Sequence, residues 1–555
     1  MLTDKKTLNH IISAFLFLAI IIAITGGTTL NIYKIKINLL STSVWFSLTT
    51  LTILIYLRSN NDLPIVIIKI KSLLDKFQRI PHINFTVFIT LVTCLTLTHY
   101  FKHIGLETHG FDMTFVQNSI ANFYTNSKLL HCSICLNNSY LGEHISYSLL
   151  LLVPFEIFFK SDFVLFFVQS FLLLFPVYYL SKNYLIKYNL FWPLIAALGI
   201  QSFRSNFTWD FREDIIAYFA IIFFLISLNK NHKTKSFLFL AIALLSKEQI
   251  SILIISFIPV YFFDSTFPGS KKNKMIISVI LFSISLAYAY FTFSTLIPGY
   301  TLGSEKASPL AYRFGEYGNT SKEIIVNIIS TPKTWFELIL RTFSKGSLKY
   351  IFSFLPFFYT LYKKPIWALP ILPTIFFNLI GLPEQRMQIF HYDLTIYCFL
   401  FFLIAITYRN ISSRRILVLT FFAAFCLSGK WPLANINIPN LRDFTNYKFI
   451  QSITKDSIAT TAKLSAQFVR KKEIYIINDE VFYNTSISSS NVQIIDRLNR
   501  SHQKNKLKPV NSKYLFLNKT KGLGLWFYVN EPKNIIKESL KSDFILVKNF
   551  SKLNL

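Results

Sequence analysis

Long apolar segments, separated by short loops that carry Lys and Arg, make up most of residues 9–431 and limit the folds open to this chain. A membrane-spanning helix needs about 20 predominantly apolar residues. The segments that approach this length are 9–29, 38–57, 85–101, 145–160, 162–180, 189–203, 213–228, 236–264, 275–297, 347–362, 365–383, 391–408 and 414–431. The series predicts a mainly α-helical, polytopic bundle of about 11–13 membrane helices. We expect the segment 9–29 to be retained as the first of them.

The composition agrees with a membrane protein. The chain is 52% hydrophobic and 15% charged, whereas about 25% of the residues of a soluble domain are charged. Its net charge is +29, and much of the Lys and Arg lies in short loops, as the positive-inside rule predicts for cytoplasmic loops. We therefore expect a lipid bilayer, and no nucleic acid, as partner.

The basic loops also predict the orientation of the chain. Lys and Arg mark the segments 58–83, 229–235, 271–274, 363–364 and 409–415 as cytoplasmic. The remaining polar segments then lie outside: 102–144, 204–214, 247–249, 298–346, 384–393 and the C-terminal region. A single external face that gathers the polar residues is typical of an active or binding face.

Two apolar stretches do not fit one simple crossing each. Because 229–235 and 271–274 are both assigned to the cytoplasm, 236–264 must be a hairpin or a broken helix with its apex at 247–249. By the same reasoning 145–180 makes an odd number of crossings. One of its two helices is therefore expected to lie in the membrane interface or to re-enter.

The sequence predicts three regions. Residues 1–84 form a two-helix membrane segment with a basic cytoplasmic loop, 85–431 form the transmembrane core, and 432–555 form a polar extracytoplasmic domain. Strand-like runs in this last region are 473–478, 514–518, 525–529 and 543–548, and a helix is expected at 532–541. This mixture predicts a small α/β domain.

Ionisable residues near apolar segments are candidates for function, because charge is costly at membrane depth. Asp112 is a candidate general base or metal ligand, and the alternative is an N-cap of a helix at 113–123. Glu143 and His144 can bind a cation or move a proton. The alternative for this pair is an acidic residue at a helix start.

The segment 210–214 is a further candidate site, because four of its five residues are charged. Asp210 shares a helical face with Glu213 or Asp214, and Arg212 offers a bidentate fork for phosphate. The alternative is an ion-paired loop with Asp as a helix cap.

Lys247 and Glu248 interrupt an apolar stretch. One interpretation places Lys247 on an anionic lipid phosphate with Glu248 orienting it, and the other is a buried structural ion pair. Arg386, His391 and Tyr392 lie at the external mouth of the run 391–408. They are predicted to contact phosphate or sugar, or to anchor the helix at the interface.

The two neighbouring cysteines Cys132 and Cys135 lack the second pair that a structural zinc site needs. They predict a local external disulfide or two free thiols. Soluble-type nucleotide-binding and hydrolase motifs are missing from the sequence.

The order of these motifs resembles the DUF2079 family of bacterial membrane proteins, which is grouped with the GT-C glycosyltransferases. The matching stretches, in chain order, are Phe111-Asp112 with Gln117, Gly142-Glu143-His144-Ile145-Ser146, Phe166-Phe167-Val168-Gln169, 209–214, Lys247-Glu248-Gln249, His391-Tyr392, 453–461, 470–475 and 543–547. The chain departs from the family pattern at Tyr147, Arg212 and Gln249, where Pro, His and Asp are expected.

The resemblance implies a GT-C-like enzyme of the bacterial inner membrane. Such an enzyme transfers a sugar from a polyprenyl-phosphate donor to an acceptor at the external face. Its general base would be Asp112, and Arg212, Lys247, Glu248, Arg386, His391 and Tyr392 would bind the donor phosphate. The residues that would contact the acceptor or bind a divalent metal ion are Glu143, His144, Asp210, Glu213 and Asp214. The alternatives are a lipid or glycolipid flippase and a non-catalytic membrane scaffold.

Overall fold

A computed structural model gives the fold of the chain. It describes residues 28–32, 35–39, 83–106, 108, 110–126, 129–132, 135, 139–142, 144–184, 203, 211–300, 314, 317–318, 321–331, 354, 357–380, 393–408, 439, 441–451, 457–461, 473–477, 514–518, 523–527 and 545–547. The predicted segments 9–29, 38–57, 189–203, 347–362 and 414–431 lie wholly or largely outside these residues.

The described part is mainly helical, as predicted. The α-helices are α1 (Ile83–Ile104), α2 (Gly110–Asn126), α3 (Val153–Phe159), α4 (Asp162–Tyr184), α5 (Asp214–Asn229), α6 (Lys233–Leu244), α7 (Ile250–Phe263), α8 (Lys271–Phe291), α9 (Ile297–Tyr300), α10 (Ser321–Ser330), α11 (Leu372–Ile380), α12 (Leu394–Tyr408) and α13 (Leu441–Gln451). Short 3₁₀ turns cover Tyr140–Gly142, Tyr147–Leu152 and Pro365–Ala368, and a π-turn covers Thr292–Leu296.

Three of the described helices have the length and apolarity to cross a membrane. They comprise Asn84–Ile104, Asp162–Tyr184 and Lys271–Leu296. Large apolar side chains remain exposed on the last of these, among them Val279, Phe282 and Leu286. In water such a surface would be unfavourable, so we assign it to lipid.

Shorter apolar helices occur at both predicted irregularities. The stretch 236–264 is broken, as predicted: α6 ends at Leu244 and α7 begins at Ile250, with a turn between them. In 145–160 the helical turns run only from Tyr147 to Phe159. This helix is too short for a hydrocarbon core of about 30 Å.

Local chemistry sets several helix boundaries. Ser270 caps α8, where its hydroxyl accepts a hydrogen bond from the amide of Asn273 at 3.3 Å. Lys160 ends α3 in the left-handed conformation, with φ of 46°. α5 is buried along most of its surface, with only Phe219, Phe223 and Asn229 partly exposed, which is typical of a helix in the interior of a bundle.

The strands lie in two sheets. The first pairs β1 (Thr28–Ile32) with β2 (Ile35–Leu39) in an antiparallel hairpin. The second contains β3 (Ser457–Thr461), β4 (Glu473–Ile477), β5 (Tyr514–Asn518), β6 (Leu523–Phe527) and β7 (Ile545–Val547) in the order β4-β3-β6-β5-β7. Only β3 and β4 run parallel among these strands. The predicted helix at 532–541 lies outside the described residues, so a C-terminal α/β domain stays a prediction.

The chain divides into two compact units. One comprises residues 1–94, 170–208 and 337–436, and the other comprises 95–169, 209–336 and 437–555. In the first unit, α12 is buried around Tyr397 and Phe401, which contact Phe203. The second unit holds the candidate site described below. The predicted domain boundaries after residues 84 and 431 remain untested by this division.

Candidate functional site

Three segments that are far apart in the chain meet in the second unit. They are the 3₁₀ region 140–148, the start of α5 at 211–214, and the turn 245–249 between α6 and α7. Backbone and hydroxyl groups join two of them: the amide of Ser148 donates to the carbonyl of Leu245 at 3.0 Å, and Oγ of Ser146 donates to the carbonyl of Ser246 at 2.8 Å. The break after α6 therefore supplies free carbonyl groups that the 3₁₀ region uses.

A buried ion-pair centre lies where these segments meet. Nζ of Lys247 donates to Oδ2 of Asp214 at 2.7 Å and lies 3.2 Å from Oε1 of Glu213. The three side chains are at most 3% exposed. We call these residues, together with Arg212, Glu248, His144 and Tyr140, the charged cluster.

The other members surround this centre. Arg212 lies 3.9 Å from a carboxylate oxygen of Glu213 and 3.9 Å from one of Asp214. The hydroxyl of Tyr140 donates to Oε2 of Glu213 at 2.6 Å.

Glu248 points to the 3₁₀ region instead of toward Lys247. Its Oε1 lies 3.0 Å from Nδ1 of His144, and its Oε2 accepts from the amide of Ile145 at 3.3 Å. The sequence prediction that Glu248 orients Lys247 is therefore replaced by a contact between Glu248 and His144. The sequence does not indicate this pairing. Glu248 is adjacent to Lys247 and His144 is adjacent to Glu143, and neither adjacency predicts that Glu248 contacts His144.

The surroundings favour the charged forms of Glu213, Glu248 and Lys247. Glu213 directly precedes α5 and Glu248 lies in the turn before α7, outside the three helices of spanning length. Burial raises the pKa of each carboxyl, but the positive charges nearby outweigh it. Lys247 and Arg212 hold the pKa of Glu213 well below its usual range, and His144 lowers the pKa of Glu248 to about 2. Burial likewise lowers the pKa of Lys247, and Asp214 and Glu213 outweigh it, so that this pKa is raised.

The cluster balances its own charge closely. It contains three carboxylates, two permanent cations and one histidine. Such compensation is what allows ionised groups to persist out of water. Lys247 forms a buried ion pair, but its partners are Asp214 and Glu213 at the start of α5 and not the neighbouring Glu248 that the sequence suggested.

The cluster does not fit a divalent metal ion. Among the described residues no three His, Cys, Asp or Glu side chains are grouped as ligands. The carboxylates of Glu213 and Asp214, which the resemblance offers as ligands, instead hold the ammonium of Lys247. We derive no step through a metal.

Several predicted site residues have no described side chain. Asp112 lies on α2, which begins at Gly110, so Asp112 is in the first helical turn and not at the cap before residue 113. A carboxylate is favoured there by the helix dipole. Five further predicted site residues lie outside the described residues: Glu143, Asp210, Arg386, His391 and Tyr392. Asp393, which directly follows Tyr392, accepts a hydrogen bond from Nδ2 of Asn378 at 2.6 Å.

A second buried polar cluster joins α1, α2 and α4, and sequence reasoning missed it. Nε2 of His103 lies 3.0 Å from Oδ2 of Asp162, and Nδ1 lies 3.2 Å from the hydroxyl of Thr108. Nε2 of Gln117 donates to the other oxygen of Asp162. The available signal was a histidine and an aspartate at the ends of two apolar runs, which also fits ordinary contact with water at a helix end.

Cys132 and Cys135 form a disulfide. This result decides between the two sequence interpretations in favour of the local disulfide. A disulfide is typical of an oxidising compartment, which agrees with the external placement of 102–144.

Apolar helices of spanning length, an exposed apolar surface and a compensated buried charge cluster together define a polytopic membrane protein. The chain matches the model of the family of predicted membrane proteins DUF2079 over residues 102–525. It therefore belongs to that family, as the sequence resemblance indicated. Comparisons with curated proteins and with solved structures found no match.

Proposed function

We propose that this protein is a membrane glycosyltransferase of the GT-C type. It transfers a sugar from a polyprenyl-phosphate donor to an acceptor at the extracytoplasmic face of the bacterial inner membrane. The observation that carries the proposal is the charged cluster at the break between α6 and α7. Ionisable residues within apolar stretches are functional candidates by default, and the cluster includes Arg212, whose planar fork suits a lipid phosphate.

The proposed reaction is an inverting transfer. The carboxylate of Asp112 removes the proton of an acceptor hydroxyl, and the oxygen attacks the anomeric carbon of the sugar. A new glycosidic C–O bond forms while the bond between the anomeric carbon and the phosphate oxygen breaks. The electron pair of that bond leaves with the polyprenyl phosphate. A positioned general base accelerates such a step by about 10²–10⁴-fold.

We divide the proposed work between the two cations of the cluster according to their contacts. Lys247 holds both Glu213 and Asp214 at hydrogen-bonding distance, so we assign it to positioning the start of α5. Arg212 lies next to the same carboxylates at 3.9 Å, and its planar fork suits a phosphate. We assign it to the leaving phosphate, where a fixed positive charge stabilises the transition state.

A flippase is the second candidate, because discontinuous apolar helices are typical of transporters and the apolar stretch 236–264 is broken between α6 and α7. The two functions differ in their product. The experiment uses purified protein in liposomes with a radiolabelled polyprenyl-phosphate sugar and membrane extract as acceptor source. A transferase releases polyprenyl phosphate and labels a new product, whereas a flippase moves intact donor across the bilayer. Intact donor on both leaflets without labelled product would reject the transferase.

A further inference from the structure

The disulfide closes a hairpin that leads directly to the charged cluster. The hairpin comprises residues 129–142, of which 129–132, 135 and 139–142 are described. His131 and Ser139 form an isolated antiparallel bridge. The amide of Tyr140 donates to the carbonyl of Leu130 at 3.0 Å, and both cysteines of the disulfide between these ends are buried.

Tyr140 connects this hairpin to α5. Its ring is 3% exposed, and its hydroxyl donates to Glu213, which lies 73 residues further along the chain. Glu213 is also the residue before the first turn of α5, where its carbonyl accepts from the amides of Ile216 and Ala217. The hairpin is therefore linked through Tyr140 to Glu213, which belongs to the charged cluster and also accepts backbone hydrogen bonds at the start of α5.

We propose that the Cys132–Cys135 disulfide is a redox-dependent positioning device for the charged cluster, acting through Tyr140 on Glu213. Its formation transfers two protons and two electrons from the two thiols to the disulfide of a thiol oxidoreductase, which becomes a dithiol. This proposal does not require sugar transfer and goes beyond it. The cluster then reaches its final arrangement only after the chain has entered an oxidising compartment.

The physical reason is the constraint that reduction removes. The disulfide closes the short loop 132–135, and a closed loop has fewer unfolded arrangements than an open chain. A two-stranded hairpin is marginally stable by itself, so without this cross-link its paired ends, His131 with Ser139 and Leu130 with Tyr140, open more readily. Tyr140 then holds Glu213 less firmly.

Amide hydrogen exchange of the full-length protein in detergent tests this coupling. The variants are Cys132→Ser/Cys135→Ser, Tyr140→Phe and all three changes together. Loss of a hydrogen bond to a charged group changes an equilibrium roughly tenfold or more. We therefore expect the amides of Ile215, Ile216 and Ala217 to exchange roughly tenfold faster in the first two variants, with little further rise in the triple variant.

A purely local role of the disulfide predicts a different pattern. Faster exchange confined to 129–142, or rates in the triple variant equal to the product of the two separate effects, would overturn the proposal. Tyr261→Phe is the matched control, because this buried tyrosine packs on Phe257 and Phe267; its effect should multiply with that of the cysteine changes. Reducing the folded wild-type protein with a dithiol should raise the exchange rates of the same three amides. Reoxidising it should restore them. Unchanged rates at these amides on complete reduction would also overturn the proposal.

Discussion

Nζ of Lys247 donates a hydrogen bond to Oδ2 of Asp214 at 2.7 Å, across 33 residues of sequence. The contact joins the turn between two apolar helices to the first turn of a third, largely buried helix. Since Glu213 lies 3.2 Å from the same ammonium, one cation holds two adjacent carboxylates. The account therefore assigns Lys247 a positioning role, which has measurable consequences.

Removing this cation should destabilise the fold strongly. Lys247→Met leaves two buried carboxylates without their closest cation, and breaking a buried ion pair in this way costs about 3–5 kcal/mol. Chemical unfolding in mild detergent measures the loss. Lys235→Met is the matched control, because Lys235 is exposed on α6, and it should change the unfolding free energy by less than about 0.5 kcal/mol. Equal stability of the two variants would contradict the positioning role.

The contact between Glu248 and His144 predicts a dependence of stability on pH. The pKa of Glu248 falls from 4.5 to about 2 in the folded protein. A carboxyl with a lowered pKa contributes stability above its ordinary pKa, and this stability is lost as the pH falls toward the folded value. The free energy of unfolding should therefore decrease between about pH 4.5 and about pH 2. In Glu248→Gln this part of the acid dependence should disappear, and an unchanged profile would be evidence against the contact.

The second buried cluster can be tested by a double-mutant cycle. The single variants are His103→Phe and Asp162→Leu, each of which leaves a buried polar partner unpaired, at a cost of about 1–3 kcal/mol. The double variant His103→Phe/Asp162→Leu should lose less than the sum of the two single losses, because both partners of the contact are then apolar. Thermal unfolding in detergent compares the variants. Additive losses in the double variant would show that the two side chains are not coupled.

Cysteine labelling tests the orientation of the chain. Positions 212 and 248 lie within the candidate external face, but their side chains are only 9% and 14% exposed, so neighbouring exposed positions are better probes. Leu129→Cys and Leu245→Cys are each at residues that are 40% exposed, and Lys235→Cys and Lys272→Cys are the cytoplasmic counterparts. The background keeps the disulfide and replaces Cys94, Cys398 and Cys426. An impermeant maleimide should label the first pair from outside in intact cells and the second pair only after lysis. The reverse pattern would refute the single external face.

Hydropathy and loop charge were sufficient for the coarse architecture. The membrane class, the break near Lys247 and the approximate positions of β4, β5, β6 and β7 follow from segment length and local composition, which act over a few residues. The strands β1, β2 and β3 were not predicted. The proximity of Cys132 and Cys135 likewise made a local disulfide one of two predictions.

The pairing within the site could not be read from the sequence. Glu248 contacts His144, which lies 104 residues away, and Glu213 accepts from Tyr140, which the sequence did not single out. Such contacts depend on how buried segments pack, and neither helical period nor motif spacing encodes that packing. The same reason explains why the pair of His103 and Asp162 was missed, since each residue separately resembles an ordinary helix end.

Sugar transfer by an Asp112→Asn variant is the most direct test of the proposed function. The measurement is transfer from a radiolabelled polyprenyl-phosphate sugar in proteoliposomes, with unfolding curves to show that the variant is folded. Asp443→Asn on α13 is the matched control and should transfer at the wild-type rate. The account predicts that Asp112→Asn loses about 10²-fold or more of the transfer rate while its unfolding curve stays close to that of the wild type. A folded Asp112→Asn protein with the wild-type transfer rate would contradict it.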